Sequence, residues 1–185
     1  MINVSRMPSG EPEIFRSIQG EGVNMGTPTV FLRLAVCNLS CSWCDTKYTW
    51  DWKAYDYDRE VMSISEKEVE ERISGLGLSH IVITGGEPML QQSELGPLLD
   101  MFSKQDYYIE VETNGTISPN SQMIDAVSQW NVSPKISSSG NRLTSRESPK
   151  TLRDFRDLTN AYFKFVVVDQ HDVKEVSGFV RKHGL

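Results

Sequence analysis

Every cysteine of the chain lies in one stretch, Cys37-Asn38-Leu39-Ser40-Cys41-Ser42-Trp43-Cys44, three thiols within eight residues and none elsewhere to pair with. Thiolates are soft, anionic ligands for iron–sulfur clusters, zinc or copper(I), and spacers this short let one loop wrap three of them around a single centre. Three ligands leave a coordination position open. On a four-iron cubane the fourth iron is then free to bind an exogenous molecule, as a catalytic zinc keeps a place for water, which implies chemistry rather than electron storage. A structural zinc would want four protein ligands, and His80, His171 and His183 are far along the sequence without paired ligand spacing. A disulfide framework fits worse, because the count is odd and secretory features are absent. Three inert buried cysteines would have no reason to cluster.

Further chemistry-bearing residues gather around glycines and one arginine. Ser17-Ile18-Gln19-Gly20-Glu21-Gly22 is a glycine-punctuated turn with an amide and a carboxylate; taken alone it is a plain surface turn. Arg33 stands in an otherwise apolar run and must find an anion or reach the surface, since a buried unpaired guanidinium is very costly. An ordinary ion pair would satisfy it, and so would a substrate carboxylate gripped bidentately. Gly85-Gly86-Glu87-Pro88 by itself is a tight strand-to-helix turn with proline at the helix start. Thr113-Asn114-Gly115 and Ser133-Pro134-Lys135 each stand at an expected strand end, where a lysine such as Lys135 is by default solvated. Residues 48–57 carry Tyr48, Trp50, Trp52, Tyr55 and Tyr57 among charges, an ordered insertion whose aromatics pack on the domain's own side or over a site.

The elements that must position these groups alternate. Residues 1–26 are polar. Residues 29–35 are β-branched and apolar and predict a buried strand running into Cys37. Ser65 to Glu68 forms a capping-box pattern ahead of Val69, Ile73 and Leu76 at helical spacing, stopped by Gly75 and Gly77. Residues 80–84 predict a strand, Leu95, Leu98, Leu99 and Phe102 a helical face, and 107–112 another strand. A helix over about 121–129 precedes the 131–135 segment, and 137–149 is a polar, serine-rich loop expected to be mobile. A helix to about 158 leads to 162–168, the strongest strand signal in the chain, and a last helix spans about 172–183. Strand and helix alternate about five times. That order gives a parallel sheet with outer helices, and ligands in such folds sit beyond the carboxyl ends of the strands, where Cys37, Gly85-Gly86, Thr113-Asn114 and Ser133 to Lys135 all fall. Five units are too few for a closed eight-stranded barrel, so the expected fold is α/β, an open partial (β/α) barrel of about five parallel strands.

At 185 residues the chain can bury one good core, so a single domain over 1–185 is expected. A net charge of −6 without a Lys/Arg run gives no footprint for nucleic acid or an anionic membrane. No apolar stretch resembles a signal peptide or is long enough to span a bilayer, and a cytoplasmic location, where thiols stay reduced, is expected.

Cys37-x3-Cys41-x2-Cys44 followed, after the next strand, by Gly85-Gly86-Glu87-Pro88 resembles the radical S-adenosylmethionine (SAM) superfamily. Within it the chain is similar to the 7-carboxy-7-deazaguanine synthase (QueE) family. Ser17-x-Gln19-Gly20-Glu21-Gly22, Arg33, Cys44-Asp45-Thr46, Thr84 to Pro88, Glu112-Thr113-Asn114-Gly115 and Ser133-Pro134-Lys135 stand in that family's order through nearly the whole chain. The resemblance implies a [4Fe–4S] cluster on Cys37, Cys41 and Cys44, with SAM on the fourth iron. It places Trp43, Cys44, Asp45, Gly86, Ser133, Pro134 and Lys135 at SAM, Thr46 on Mg²⁺, and Ile18, Gln19, Gly20, Glu21, Arg33 and Thr84 at the substrate, with Arg33 on its carboxylate. The implied reaction begins with reductive cleavage of SAM to a 5′-deoxyadenosyl radical. This takes a hydrogen atom from 6-carboxy-5,6,7,8-tetrahydropterin, whose ring contracts with loss of ammonia to 7-carboxy-7-deazaguanine, towards queuosine and related 7-deazapurines. An electron donor such as flavodoxin or ferredoxin and a homodimer are implied with it.

Members of that family usually continue into another strand and a closing segment, whereas this sequence stops at Gly184-Leu185, so that element is expected to be missing or replaced. Two rivals share part of the pattern. A radical-SAM activase of a glycyl-radical enzyme would share the cysteine loop and glycine turn but leave Gln19 to Gly22, Asp45-Thr46 and Ser133 to Lys135 unexplained. A non-catalytic iron–sulfur or zinc module would hold metal without cleaving SAM.

Overall fold

The computed structural model describes all of residues 1–185. Its strands are β1 (Ile2–Ser5), β2 (Ile14–Ile18), β3 (Pro28–Leu34), β4 (Val61–Ile64), β5 (His80–Gly85), β6 (Tyr108–Thr113), β7 (Gln129–Val132) and β8 (Ala161–Phe163). Its helices are α1 (Tyr57–Glu60), α2 (Glu66–Gly75), α3 (Gln92–Ser103), α4 (Ser121–Ala126), α5 (Leu143–Arg146), α6 (Pro149–Arg156) and α7 (Gln170–His183), with 3₁₀ turns at Lys47–Thr49, Pro88–Gln91 and Ser137–Ser139. The sheet runs β4-β1-β3-β5-β6-β7-β8, with β2 also on β3. From β3 to β8 five strands are parallel, the expected open barrel that does not close.

Three strands lie in stretches for which no strand was predicted. β2 covers β3 from Pro28 to Leu32 and β1 takes over at Leu34, both antiparallel, and β4 pairs outside β1. They are short, and β2 bears the exposed Arg16, Ser17 and Ile18, so no apolar run betrays them. α2 begins as expected, with Ser65 accepting from the Glu68 N–H. The helix expected over 121–129 stops at Ala126. Val127 is already extended, its carbonyl and that of Ser128 are held by Asn160, and 129–132 becomes β7.

The strongest strand signal also overshoots. β8 ends at Phe163 because its only neighbour ends: Lys164 N–H donates to Val132 O at 2.8 Å, Ser133 N–H turns the other way to Thr113 O, and Pro134, next to face β8, has no N–H. Val166, Val167 and Val168 are consequently exposed. The loop over 137–149 is not free: it holds the Ser137–Ser139 turn and α5, and hydrogen bonds tie it to the cysteine loop.

The sheet has two unlike faces. Ile81, Ile83, Ile109, Val111, Trp130 and Val132 pack against Leu95, Leu98, Leu99 and Phe102 of α3 in one apolar core. The residues between them face inward and are largely polar.

Candidate functional site

β3 delivers the chain to Val36, which has φ of 72° and donates its N–H to Thr49 O at 2.7 Å. A β-branched residue in the left-handed region is strained, and the surroundings must hold it there. The glycine turn after β5 does so. Gly86 N–H donates to Leu34 O and Glu87 N–H to Val36 O, both at 2.8 Å. The approach is so close that a Cβ on Gly86 would lie 2.0 Å from Val36 O, and one on Gly85, itself at φ of 112°, 2.2 Å from Leu34 O. The two glycines thus seat the cysteine loop before any ligand is considered.

Glu87 bolts this turn to β6. Fully buried, it accepts from Met89 N–H (3.0 Å), Thr113 Oγ1 (2.7 Å) and Asn114 N–H (2.7 Å), and burial raises its pKa. Asn114 Nδ2 in turn donates to Asn38 Oδ1 at 2.8 Å, inside the cysteine loop.

Cys37, Cys41 and Cys44 are free thiols lining one cavity of about 550 Å³, in the range that takes small ligands. Burial pushes the Cys37 thiol up to about 12 and raises that of Cys41. Thiols so placed become thiolates when a strong cation takes the proton's place. Lys135, its pKa lowered by burial, donates to Ser133 Oγ at 2.8 Å and sits 5.5 Å over the Trp43 ring. The histidines are engaged elsewhere or exposed: His80 on Glu110, His183 on Glu147, His171 on the surface. The donor set is three sulfurs and no nitrogen, which suits an iron–sulfur cluster and not a four-ligand zinc site.

Strand register builds the rest of the cavity. Arg33 stands opposite Thr84 across β3 and β5, and Glu112 opposite Asn131 across β6 and β7. Thr84 Oγ1 donates to Glu112 Oε2 at 2.7 Å. Arg33 Nε is held by Glu13 at 2.7 Å, with Tyr48 Oη also on Glu13; burial works against the guanidinium charge, but Glu13 outweighs it and the pKa rises. One layer deeper Glu110, fully buried, accepts from Asn24 (2.7 Å), Asn131 (2.7 Å) and Gln19 (3.1 Å) and meets His80 Nε2 at 2.6 Å. Gln19 begins the β2–β3 turn, at the amino ends of the parallel strands and opposite the cysteine loop. The cavity is therefore lined from both ends.

Of the residues singled out in the sequence, Gln19, Gly20, Glu21, Arg33, Thr84, Trp43, Asp45, Thr46, Gly86, Ser133, Lys135 and the three cysteines line this cavity. Ile18 is 62% exposed and Pro134 is buried, and neither lines it. Trp50 of the aromatic insertion does, whereas Trp52 and Tyr57 pack edge-on against each other. Sequence reasoning missed Glu13, Glu112 as a lining carboxylate, Asn141, whose Nδ2 is 3.2 Å from Cys41 Sγ, and Lys164, which pairs with Glu21. Only Glu112 had a signal: Ile109-Glu110-Val111-Glu112 alternates and so marks a strand with one polar face.

The pattern of the Radical SAM superfamily matches residues 33–133. A 7-carboxy-7-deazaguanine synthase of Pyrobaculum aerophilum is 39% identical over 177 residues, 94% of this chain and 73% of that protein. The enzyme of the same name from Hyperthermus butylicus is 36% identical, over 94% and 71%. The crystal structure of QueE from Escherichia coli superposes with a TM-score of 0.70 at 26% identity, covering 97% of this chain and 78% of that one. The chain belongs to the 7-carboxy-7-deazaguanine synthase family. Membership sets aside the activase and the non-catalytic module, and the open-barrel expectation agrees with the QueE match. A [4Fe–4S] cluster, SAM and Mg²⁺ are the cofactors of a 7-carboxy-7-deazaguanine synthase, and the all-sulfur donor set fits the first of them.

Proposed function

We propose that the cavity holds its two small molecules in two tiers, SAM beside the cysteine loop and 6-carboxy-5,6,7,8-tetrahydropterin against the strand-borne row. The reaction is the Mg²⁺-dependent ring contraction of that pterin to 7-carboxy-7-deazaguanine with loss of ammonia, a radical-SAM lyase step. One observation carries the tiered reading: three free thiols and the Arg33, Thr84 and Glu112 row line the same cavity.

When bound, the cluster and SAM supply reversible hydrogen-atom abstraction. Cys37, Cys41 and Cys44 would hold the cluster, and Trp43, Asp45, Gly86, Ser133 and Lys135 would face SAM. The half-buried Lys135 cation, whose hydrogen-bond partner is the neutral Ser133, would pair with an acid group of SAM. Arg33, with Nε fixed by Glu13, presents its two Nη groups as a fork for the substrate carboxylate. Thr84 and Glu112 line the pterin side, where Glu112 has lone pairs for the N–H donors of a 2-aminopyrimidinone edge. Gln19, Gly20 and Glu21 close the floor, with Lys164 pinning Glu21. Thr46 Oγ1 would ligate Mg²⁺, a hard ion that takes oxygen. Ile18 and Pro134, which lie outside the cavity lining, could meet the substrate and SAM only through backbone atoms. Flavodoxin or ferredoxin would deliver the electron. No helix is long and apolar enough to cross a membrane. A cytoplasmic location suits three reduced thiols, and a homodimer would cover the open edge at β8.

The test is anaerobic reconstitution with SAM, Mg²⁺ and a reductant, following 6-carboxytetrahydropterin by mass spectrometry. 7-Carboxy-7-deazaguanine should form, and should vanish with Cys41→Ala. SAM cleavage without a pterin product would sink the substrate tier while leaving the cluster tier standing.

A further inference from the structure

The loop after β7 reaches back over the cysteine loop and meets it at Asn141. The orientation of that amide is set by its neighbours. Ser40 N–H can only donate, so the Asn141 oxygen must face it, which it does at 2.9 Å. The amino group is thereby turned to Cys41 Sγ at 3.2 Å, and also reaches Ser139 Oγ (3.3 Å), which gives its own hydrogen to Ile136 O (2.7 Å). A flipped amide would set two donors against each other at Ser40 and an oxygen against sulfur.

The three sulfurs are not equivalent. Cys37 Sγ receives a backbone N–H from its own loop, Leu39, at 3.5 Å, and Cys44 Sγ lies 3.5 Å from Thr46 Oγ1. Only Cys41 Sγ accepts a hydrogen bond from a remote segment, 100 residues away, and that contact is the shortest of the three. A hydrogen bond to a ligating sulfur favours the cluster state that carries more negative charge, and so raises the reduction potential.

We infer that Asn141 sets the reduction potential of the cluster by donating to Cys41 Sγ, a positioning residue that acts through the ligand. The inference rests on the assignment of Cys41 as a cluster ligand. Two further contacts clamp the same two loops without touching sulfur, Ser42 N–H to Ser139 O at 2.9 Å and Ser42 Oγ to Ser138 O at 3.2 Å; Ser42→Ala removes the second alone and so separates a clamping role of the side chain from an electronic one.

The experiment is a redox titration of the reconstituted protein, followed by electron paramagnetic resonance without SAM, for wild type, Asn141→Ala, Asn141→Asp and Ser42→Ala. Asn141→Asp keeps the acceptor for Ser40 N–H but replaces the donor with an anionic oxygen. It should cut the ratio of reduced to oxidised cluster at fixed potential by about tenfold or more, about 59 mV for a one-electron couple. Asn141→Ala should cut it several-fold, and Ser42→Ala should titrate with wild type. Should Asn141→Asp fail to retain four irons, Asn141→Ala decides alone. The inference is overturned by an Asn141→Ala titration superimposed on wild type, or by Ser42→Ala shifting as far as Asn141→Ala. A wild-type protein that loads no four-iron cluster overturns the cluster tier itself.

Discussion

The two walls of the cavity are built in opposite ways. The cysteine wall is a loop without regular structure, held in place by contacts from remote segments: Gly86 and Glu87 on Leu34 and Val36, Asn114 on Asn38, Asn141 on Ser40 and Cys41. The floor stands on neighbouring strands, where register alone fixes the spacing of Arg33, Thr84, Glu112 and Asn131. A ladder tolerates buried charge because each carboxylate finds donors on the next strand. The loop must be wedged from outside, and burial raises the Cys37 and Cys41 thiols so that they ionise only when a cation takes the proton's place. The first wall should therefore fail by displacement, the second by stranding polar groups.

Displacement should give the largest effect. In Gly86→Ala the new Cβ meets Val36 O at 2.0 Å and Val36 C at 2.5 Å, backbone on both counts, so the approach to Cys37 must move. We expect a loss of about 4 kcal/mol or more in chemical denaturation, with little iron retained. Gly178→Ala in α7, where the added Cβ meets nothing within 4 Å, should instead stabilise by about 0.5–1 kcal/mol. Equal losses in the two variants would show that the close approach is not what the glycine turn is for.

Stranding is tested at Glu110. Its donors divide between both oxygens, Asn24 and His80 on Oε1 and Gln19, Gln129 and Asn131 on Oε2, so even the isosteric Glu110→Gln turns an amino group towards donors. Glu110→Ala should cost about 3 kcal/mol and Glu110→Gln about 2 kcal/mol. Because Gln19 is held from this carboxylate, KM for the pterin should rise more than kcat falls. A Glu110→Gln protein with wild-type stability and KM would mean that the floor does not depend on the charge.

The cysteine wall has an outer buttress with a pH signature. Arg146 Nη1 donates to Lys135 O at 2.9 Å, and the next residue, Glu147, is paired with Lys182 and His183 of α7. Burial works to raise the Glu147 pKa, but Lys182 and His183 outweigh it and hold it below the usual carboxylate range. A depressed pKa contributes stability above the unfolded value and loses it as pH falls through the folded one. Glu147→Gln should thus cost about 1 kcal/mol at pH 7, and progressively less as pH falls from the unfolded value through the depressed folded one. Urea midpoints across pH 3–7 would show it; parallel curves for the two proteins would remove Glu147 from the account.

The same contrast governs what the sequence discloses. Ligation demands one residue type at short spacing, so the cysteine wall stands out without any knowledge of the fold, and four of the five parallel strands follow from their apolar runs, whereas Gln129 to Val132 of β7 has none and begins inside the helix expected over 121–129. The floor is a property of register: Arg33 and Glu112 lie 79 positions apart in sequence and become neighbours only through two strand pairings, although the alternation in β6 announces a polar face. Asn141 carries no local sign at all, its meaning residing 100 residues away. At the free edge, intrinsic preference misleads: Val166 to Val168 are good strand formers with nothing to pair with, because Pro134 ends the neighbouring ladder.

The smallest effect should come from the strain itself. Val36 holds φ of 72°, a conformation that costs a β-branched residue about 1–3 kcal/mol. Val36→Gly removes that cost, and gives up a half-buried side chain and some rigidity of the unfolded chain, each about 1 kcal/mol. The terms nearly cancel, so stability should stay within about 1 kcal/mol of wild type. Val30→Gly, in the fully buried middle of the adjoining strand, has no strain to release and should cost about 3 kcal/mol or more. If Val36→Gly proved as damaging as Val30→Gly, the loop would be anchored by the Val36 side chain rather than wedged by its backbone hydrogen bonds to Glu87 and Thr49, and the two walls would be less different than their geometry makes them.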